Sequence, residues 1–285
     1  MSREDVEQVT GPAPSARLAA GSLLAGAGVV AAATLASRVV GLGRWVAFSH
    51  SVGATCVGQV YATANQLPNV LYEVAAGGAL AAVVVPLVAH HLARGDDHTA
   101  DRTASALLSW SLLVLLPLAV LVAVLAQPIA GALLAGEQCA PAAPALGAAM
   151  LLIFAPQVVL YGVGIVLAGV LQAHRRFLAA AVAPLLSSLV VIAAYLGYGA
   201  VVEPGTAPGS VPTGGLALLA GGTTLGVVAL SLPLLVPVRR AGVRLRPTLR
   251  FPRGSGARAG VLATIGSSAP ASASCAGSMS TASSR

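Results

Sequence analysis

Charged residues are scarce in this sequence. Aspartate, glutamate, lysine and arginine together make up only 9% of its 285 residues, whereas an ordinary soluble domain carries about 25%. Hydrophobic residues account for 56%, and the mean hydropathy is +0.86. This composition excludes an ordinary soluble domain and indicates a membrane protein.

The sequence also lacks the strict alternation of apolar and polar residues that a membrane β-barrel requires. It contains instead six long apolar runs, each with at least the roughly 20 residues that a helix needs to cross the hydrocarbon core of a bilayer. These runs cover residues 18–48, 67–89, 103–126, 144–172, 177–199 and 214–238. The predicted fold is therefore all-α, a polytopic membrane bundle of six transmembrane helices.

Lysine is absent, so all sixteen basic residues are arginines. The N-terminal tail and every second connection hold thirteen of them, and the other connections hold none. The arginine-containing segments are 1–17, 90–102, 173–176 and 239–258, and the arginine-free ones are 50–66, 127–143 and 200–213. Because cytoplasmic loops are enriched in arginine and lysine, both termini are predicted to be cytoplasmic, with the chain in the cytoplasmic (inner) cell membrane.

This topology predicts three regions. Residues 1–17 form a cytoplasmic tail, and residues 18–238 form the transmembrane lobe. Residues 239–285 form a second cytoplasmic tail, basic at first, then rich in serine and alanine, and expected to be disordered. The basic run 239–253 is predicted to lie against anionic lipid headgroups. The net charge of +7 is spread over short loops, so nucleic acid is not predicted as a partner.

Motifs of enzymes are missing as well: there is no nucleophile elbow, no glycine-rich phosphate loop and no pair of carboxylates. The chain is predicted not to be an enzyme, and no cofactor is expected. One segment is rich in histidine and aspartate, but its spacing matches no metal-ligand pattern, which favours a solvated cytoplasmic loop over a metal site. Its ionisable residues of these two types are His90, His91, Asp96, Asp97, His98 and Asp101.

Cysteine is rare, with three residues in the whole chain. Cys56 and Cys139 both fall in predicted outward connections, where the compartment can oxidise them. Two cysteines without a recognisable pattern are weak grounds for a disulfide. A disulfide and two free thiols therefore both stay open.

Three charged residues lie inside the predicted spans: Arg38, Arg44 and Glu73. A charge at membrane depth costs several kcal/mol unless it is paired or faces water. In one interpretation Arg44 extends to the outer headgroups and Arg38 pairs with Glu73. In the other, both arginines face a polar cavity, which requires a bend at Gly41 and Gly43 because six helical residues place them about 120° apart.

Four sequence motifs, in this order and spacing, resemble the MviN/MurJ lipid II flippases. The first is Ser37 and Arg38 followed by Gly41 and Arg44. The others are "ANQLPNVLYEVAAGGALAAVVVP" at 64–86, "QAHRRF" at 172–177 and "APLLSSLVVI" at 183–192. The resemblance runs from about residue 18 to about residue 268. Its structural motif residues are Ser37, Gly41, Pro68, Asn69, Gly77 and Gly78.

The resemblance implies a member of the multidrug/oligosaccharidyl-lipid/polysaccharide exporter superfamily. Such flippases move the lipid-linked precursor of peptidoglycan from the inner to the outer leaflet by alternating access. The arginines matching Arg38 and Arg44 line a cationic cavity in the family and engage the pyrophosphate of the substrate. Tyr72 and Glu73 stand where many members carry two arginines, and they complete the predicted substrate-binding set. Glu73 is also predicted to restrain Arg44 or to take part in cation coupling.

The number of predicted spans, six, is smaller than in the family, whose members have about fourteen helices in two lobes. The chain is therefore expected to represent an N-terminal lobe, truncated or frameshifted, that pairs with a partner lobe or a second copy of itself. Two other functions remain open. The chain could export another polysaccharide lipid or a drug, or it could be a membrane scaffold without transport activity.

Overall fold

The computed structural model describes residues 14–74, 80–135, 139 and 141–250, and within these the side chains of residues 28–73, 83–135, 139 and 141–250. Most of the predicted N-terminal tail, the tail beyond residue 250, and both Gly77 and Gly78 of the predicted motif lie outside the described residues. The described part of the chain contains helices and no strand, which confirms the all-α class.

The first five helices are α1 (Pro14–Ser51), α2 (Cys56–Val74), α3 (Leu80–Leu92), α4 (Asp97–Val124) and the short α5 (Ala126–Leu133). They are followed by α6 (Ala143–Ala173), α7 (Phe177–Val201) and a last stretch made of α8 (Thr213–Leu216), α9 (Gly222–Ser231) and α10 (Leu235–Arg240). A π-helical turn joins α8 to α9, and a 3-10 turn that contains Pro233 joins α9 to α10. Proline removes a backbone donor, which explains the break at that turn.

Five helical stretches are long and apolar enough to cross a membrane: Gly28–Ser51, Asp97–Val124, Ala143–Ala173, Phe177–Val201 and Thr213–Arg240. The remaining predicted span, 67–89, falls on the end of α2 and on most of α3, and residues 75–79 between them are not described. Five of the six predicted spans therefore match the observed helices in order and approximate length.

Two segments that were predicted as loops are partly helical in the structure. The connection predicted over 50–66 contains only four non-helical residues, because α2 begins at Cys56. In the histidine- and aspartate-rich segment, α4 begins at Asp97, so His98 and Asp101 are helical, contrary to the prediction of a loop. Asp96 caps this helix by accepting a hydrogen bond from the backbone N–H of Thr99 at 3.0 Å, which lowers the pKa of its carboxyl group.

Helix α6 lies at the centre of the bundle. It packs against α4 and α5, against α2 and α3, and against α9. Most of its side chains are apolar. Met150, Leu151, Phe154, Leu167 and Leu171 are fully buried, whereas Leu152 is exposed. Helix α7 packs between α1 and α9, so α1 reaches the bundle mainly through α7.

Helices α7 and α9 approach closely at two glycines one turn apart, Gly222 and Gly226. A Cβ atom on Gly222 would collide with the Cβ of Ala194, and one on Gly226 would collide with Val191. Small residues spaced in this way let membrane helices approach each other closely. The neighbouring Gly221 has no atom within 4 Å of the place that its Cβ would occupy.

We therefore expect Gly222→Ala to destabilise the lobe by about 1 to 3 kcal/mol, because the added methyl group overpacks the contact with Ala194. Gly221→Ala is the matched control, since it adds the same methyl group to open space and should be neutral or stabilising by up to about 1 kcal/mol. Thermal unfolding of both variants in detergent measures the difference. Equal unfolding temperatures would contradict the close approach of α7 and α9.

Candidate functional site

The two arginines of α1 lie on different faces of the helix. Helix α1 continues as an unbroken α-helix through Gly41 and Gly43, which keeps the angle of about 120° that six helical residues place between Arg38 and Arg44. Ser37 shares the face of Arg44, since seven residues make nearly two turns, and its hydroxyl donates to the carbonyl oxygen of Ala181 on α7 at 3.0 Å. Arg44 is half-buried on this face, whereas Arg38 is exposed.

Three tyrosines, which we call the phenol cluster, lie within electrostatic range of Arg44: Tyr61 on α2, Tyr161 on α6 and Tyr195 on α7. The positive charge of Arg44 interacts electrostatically with all three. The hydroxyl oxygens of Tyr61 and Tyr195 lie 2.7 Å apart, in hydrogen-bond contact. Phenol groups from three further helices thus surround Arg44 at electrostatic range, and none of them hydrogen-bonds to it among the described residues.

Thr223 on α9 and Phe48 on α1 complete the surroundings of these phenols. The Tyr61 hydroxyl is 2.8 Å from Oγ1 of Thr223, which in turn donates to the carbonyl oxygen of Leu219. The Phe48 ring centroid lies 5.6 Å from that of Tyr61 and 5.3 Å from that of Tyr195. Aromatic contacts at these distances fix the orientation of the rings.

Tyr161 connects the phenol cluster to two residues that the sequence analysis singled out. Its hydroxyl donates to Oδ1 of Asn69 at 3.2 Å, and its ring centroid lies 4.5 Å from that of Tyr72. Tyr72 and Tyr161 line a cavity of about 280 Å³ that α2, α3, α6, α7 and the last helical stretch enclose. Pro68, one residue before Asn69, is buried inside α2.

Glu73 does not take part in this arrangement. Its side chain is exposed, and among the described residues it forms no salt bridge within 4.0 Å with Arg38 or Arg44. The predicted restraint of an arginine by Glu73 is therefore wrong for this structure. Among the described residues, no group of three or more histidine, cysteine, aspartate or glutamate side chains is placed to hold a metal ion.

Several polar residues of the site escaped the sequence analysis, which searched the spans only for charges. Gln157 on α6 is fully buried, and its side-chain amide donates to Thr224 on α9 at 2.8 Å. Its spacing of four residues from Tyr161 puts both on one face of the helix. The same spacing relates Tyr61 to Asn65 and Asn65 to Asn69 on α2. A search for polar residues at intervals of four would have found both stripes.

A disulfide joins the start of α2 to the connection between α5 and α6. Cys56 and Cys139 form this bond, with their Cα atoms 5.4 Å apart, within the usual range for a disulfide. The alternative that the sequence left open is thus resolved in favour of pairing. The bond lies at the end of α2 nearer to Tyr61, so it fixes the position of the helix that carries half of the polar site.

These features define a polytopic α-helical membrane protein with a partly buried arginine close to a cluster of buried polar side chains. The family model described as "Lipid II flippase MurJ" matches residues 48–283. The chain belongs to this family, which confirms the resemblance inferred from its sequence motifs.

Two relatives support this assignment. A probable lipid II flippase MurJ from Synechocystis sp. is 32% identical over 235 residues, which cover 79% of this chain and 41% of the relative. A protein of the same description from Rhizobium meliloti is 30% identical over 226 residues, which cover 77% of this chain and 41% of the relative. The chain thus spans less than half the length of these relatives.

A solved structure shows the same fold. The lipid II flippase MurJ in an inward closed conformation superimposes with a TM-score of 0.62 at 19% sequence identity. The match covers 83% of this chain and 46% of the solved one. The described helices therefore correspond in arrangement to part of that larger bundle.

Proposed function

We propose that this chain forms one lobe of a flippase for the lipid-linked precursor of peptidoglycan, a membrane transporter and not an enzyme. In this proposal Arg44 binds the pyrophosphate of the substrate. The observation that carries it is the half-buried Arg44, whose charge lies within electrostatic range of the three tyrosines of the phenol cluster.

The chemistry of these groups fits an anion that carries several phosphate oxygens. A guanidinium group donates bidentate hydrogen bonds to phosphate and keeps its charge when it is partly desolvated. Phenol hydroxyls add neutral donors beside it without adding a charge of either sign. Arg44 has no carboxylate partner among the described residues, so its charge is available to an incoming anion.

The other predicted residues take different roles in this proposal. Tyr72, which lines the cavity next to Tyr161, contacts the part of the substrate beside the pyrophosphate. Arg38 and Glu73 are exposed on α1 and α2, and we assign them to contacts made when a second lobe or a second copy of the chain closes over the site. Asn69 positions the Tyr161 hydroxyl.

The proposed orientation places both ends of the lobe in the cytoplasm of a multi-pass protein of the inner cell membrane. Two independent observations support it. The arginine-rich connections alternate with arginine-free ones. The disulfide joins Cys56 and Cys139, which belong to two different predicted arginine-free connections. Disulfides persist in oxidising compartments outside the cytoplasm.

Binding measurements with three glutamine variants test the role of Arg44. We expect Arg44→Gln to weaken the binding of lipid II by the detergent-solubilised protein at least about tenfold, as the loss of a charged hydrogen bond implies. Arg94→Gln, which removes an exposed arginine from the turn before α4, is the matched control and should change the affinity less than about twofold. Arg38→Gln should weaken binding less than Arg44→Gln does, because Arg38 is exposed and is assigned to contacts with a second lobe or copy. Equal affinities of all three variants would contradict the proposed site.

A further inference from the structure

The chain that leaves the last helix does not extend into solvent. Residues 243–250, which we call the strap, run in an extended conformation along α4. Strap backbone N–H groups donate to α4 side chains, and one α4 side chain donates back to the strap. These bonds are Arg244 N to Asp101 Oδ2 (3.1 Å), Arg246 N to Ser105 Oγ (3.0 Å), Thr248 N to Ser109 Oγ (3.1 Å) and Trp110 Nε1 to Leu249 O (3.1 Å).

The register of these bonds follows from the geometry of the two elements. Two residues of an extended chain advance about 6.6 Å, and four residues of an α-helix advance about 6.0 Å. Every second strap residue therefore meets an acceptor on every fourth α4 residue. This segment was predicted to belong to a disordered tail from its composition. The three acceptors lie about 140 residues earlier in the chain, so local sequence gives no sign of these bonds.

Two adjacent cavities of different character lie against the strap. The first, of about 560 Å³, is cationic, with Arg102 of α4 and Arg244 and Arg246 of the strap in its wall. His98 and Asp101 also line it, and the Asp101 carboxylate contributes the one negative charge of the lining while accepting the N–H of Arg244. Three guanidinium groups against one carboxylate leave a net positive charge of two, which favours an anion.

The second cavity, of about 480 Å³, is mainly apolar, with leucines from α4, α10 and the strap in its wall: Leu108, Leu112, Leu235 and Leu245. It shares Ser105, Arg244, Arg246 and Pro247 with the first cavity. An anion-binding space and an apolar space thus have one wall in common. A molecule that fills both has a charged head joined to a hydrocarbon chain.

We propose that the strap and α4 form a binding site for an anionic phospholipid of the surrounding membrane. The phosphate group occupies the cationic cavity, and the start of an acyl chain occupies the apolar one. The site lies where α4 begins and α10 ends, so a bilayer lipid reaches it with its headgroup at the level of the arginines. The inference does not depend on the proposed flippase activity.

The structure contains a natural reporter for this site. Trp110 donates to the strap, and the sequence has only one other tryptophan, Trp45. In a Trp45→Phe background, all tryptophan fluorescence comes from Trp110. We expect phosphatidylglycerol brominated on its acyl chains to quench this fluorescence saturably in detergent micelles. Brominated phosphatidylcholine should need at least about tenfold more lipid, since its headgroup has no net charge.

Two double variants with the same loss of charge separate a built site from a diffuse basic surface. Arg244→Gln with Arg246→Gln removes two guanidinium groups from the cationic cavity, and the strap bonds survive because they use backbone N–H groups. Arg94→Gln with Arg250→Gln removes two exposed arginines that line neither cavity. We expect the first pair to weaken phosphatidylglycerol binding about twentyfold and the second pair less than about twofold.

Three other results of these experiments would contradict the proposed lipid site. Equal losses in the two double variants, or equal quenching by both lipids, would overturn the site. Displacement of the lipid by inorganic phosphate at lipid-like concentrations would identify a site for free phosphate and overturn the lipid assignment. If the first double variant fails to fold, Arg102→Gln, which removes a cavity arginine of α4 and leaves the strap unchanged, gives the same comparison against Arg94→Gln.

Discussion

Replacing Cys56 and Cys139 with serine is expected to lower the free energy of unfolding of the lobe by about 4 kcal/mol. The bond closes a loop of 83 residues that contains α3, α4 and α5, so it excludes many open conformations of the unfolded chain. In the chain-entropy description, the stabilisation grows with the logarithm of the loop length. For a lobe of marginal stability, this is a large share of the total.

Unfolding of the purified protein in detergent, without reductant, measures the effect. Each single serine variant should lose as much stability as the double variant, because either substitution removes the whole bond. Cys275→Ser is the matched control and should unfold like the unsubstituted protein. A reductant should lower the stability of the unsubstituted protein to that of the double variant and leave the double variant unchanged. Equal stability of both proteins without reductant would contradict the contribution of this bond.

The spans were the most predictable part of the fold. Membrane helices must satisfy every backbone hydrogen bond internally and present apolar side chains to lipid, so length and hydropathy alone define them. The boundaries of α6 and α7 differ from the predicted ones by two residues or fewer. The start of α2 was missed by eleven residues, because Val57, Val60 and Tyr61 are interspersed with polar residues there and the apolar run begins only at Leu67.

The arrangement of side chains within the bundle was less predictable. The sequence spacing predicts an angle of about 120° between Arg38 and Arg44 on a helix. Helix α1 is unbroken there, and only Arg44 is partly buried. Depth in the membrane also suggested that Glu73 meets an arginine. Depth carries no information about rotation around a helix axis, and Glu73 points to the surface instead.

The phenol cluster was unpredictable for a different reason. Tyr61, Tyr161 and Tyr195 are 34 to 134 residues apart in sequence, and each is an unremarkable amphipathic residue in an apolar helix. Only the packing of α2, α6 and α7 around one point brings their hydroxyl groups towards Arg44. The family resemblance indicated Arg44 as a site residue. The three tyrosines near it belong to none of the motifs that carry the resemblance, so only the structure shows them.

Expressed alone, residues 1–285 are expected not to support the growth of cells depleted of their own lipid II flippase. The matches cover 41% of the Synechocystis relative and 46% of the solved flippase chain, so residues 1–285 correspond to less than half of each. Alternating access in carriers built from repeats depends on one lobe rocking against another around a site between them. If one lobe binds the substrate on one side, as proposed, it needs a second surface to close over the site.

The exposed face of α1 gives this expectation a structural basis. Leu35, Leu42, Trp45 and Val46 are each about two-thirds exposed there, next to the exposed Arg38. An apolar surface can face lipid, but a charge at membrane depth beside it needs a polar partner or water. We expect a second lobe, or a second copy of this chain, to cover this face when the site is closed.

The growth test needs proof that the lobe is present and folded, because an absent protein also fails to support growth. Oxidation of Cys56 and Cys139 supplies that proof, since the disulfide forms only when α2 and the connection after α5 meet, and its loss on reduction shifts the band on a gel. Restoring the host's own flippase from the same promoter is the positive control. Full growth on the oxidised lobe would show that one lobe suffices, alone or as a homodimer. Loss of that growth in Arg44→Gln would then assign the activity to the phenol cluster and its arginine.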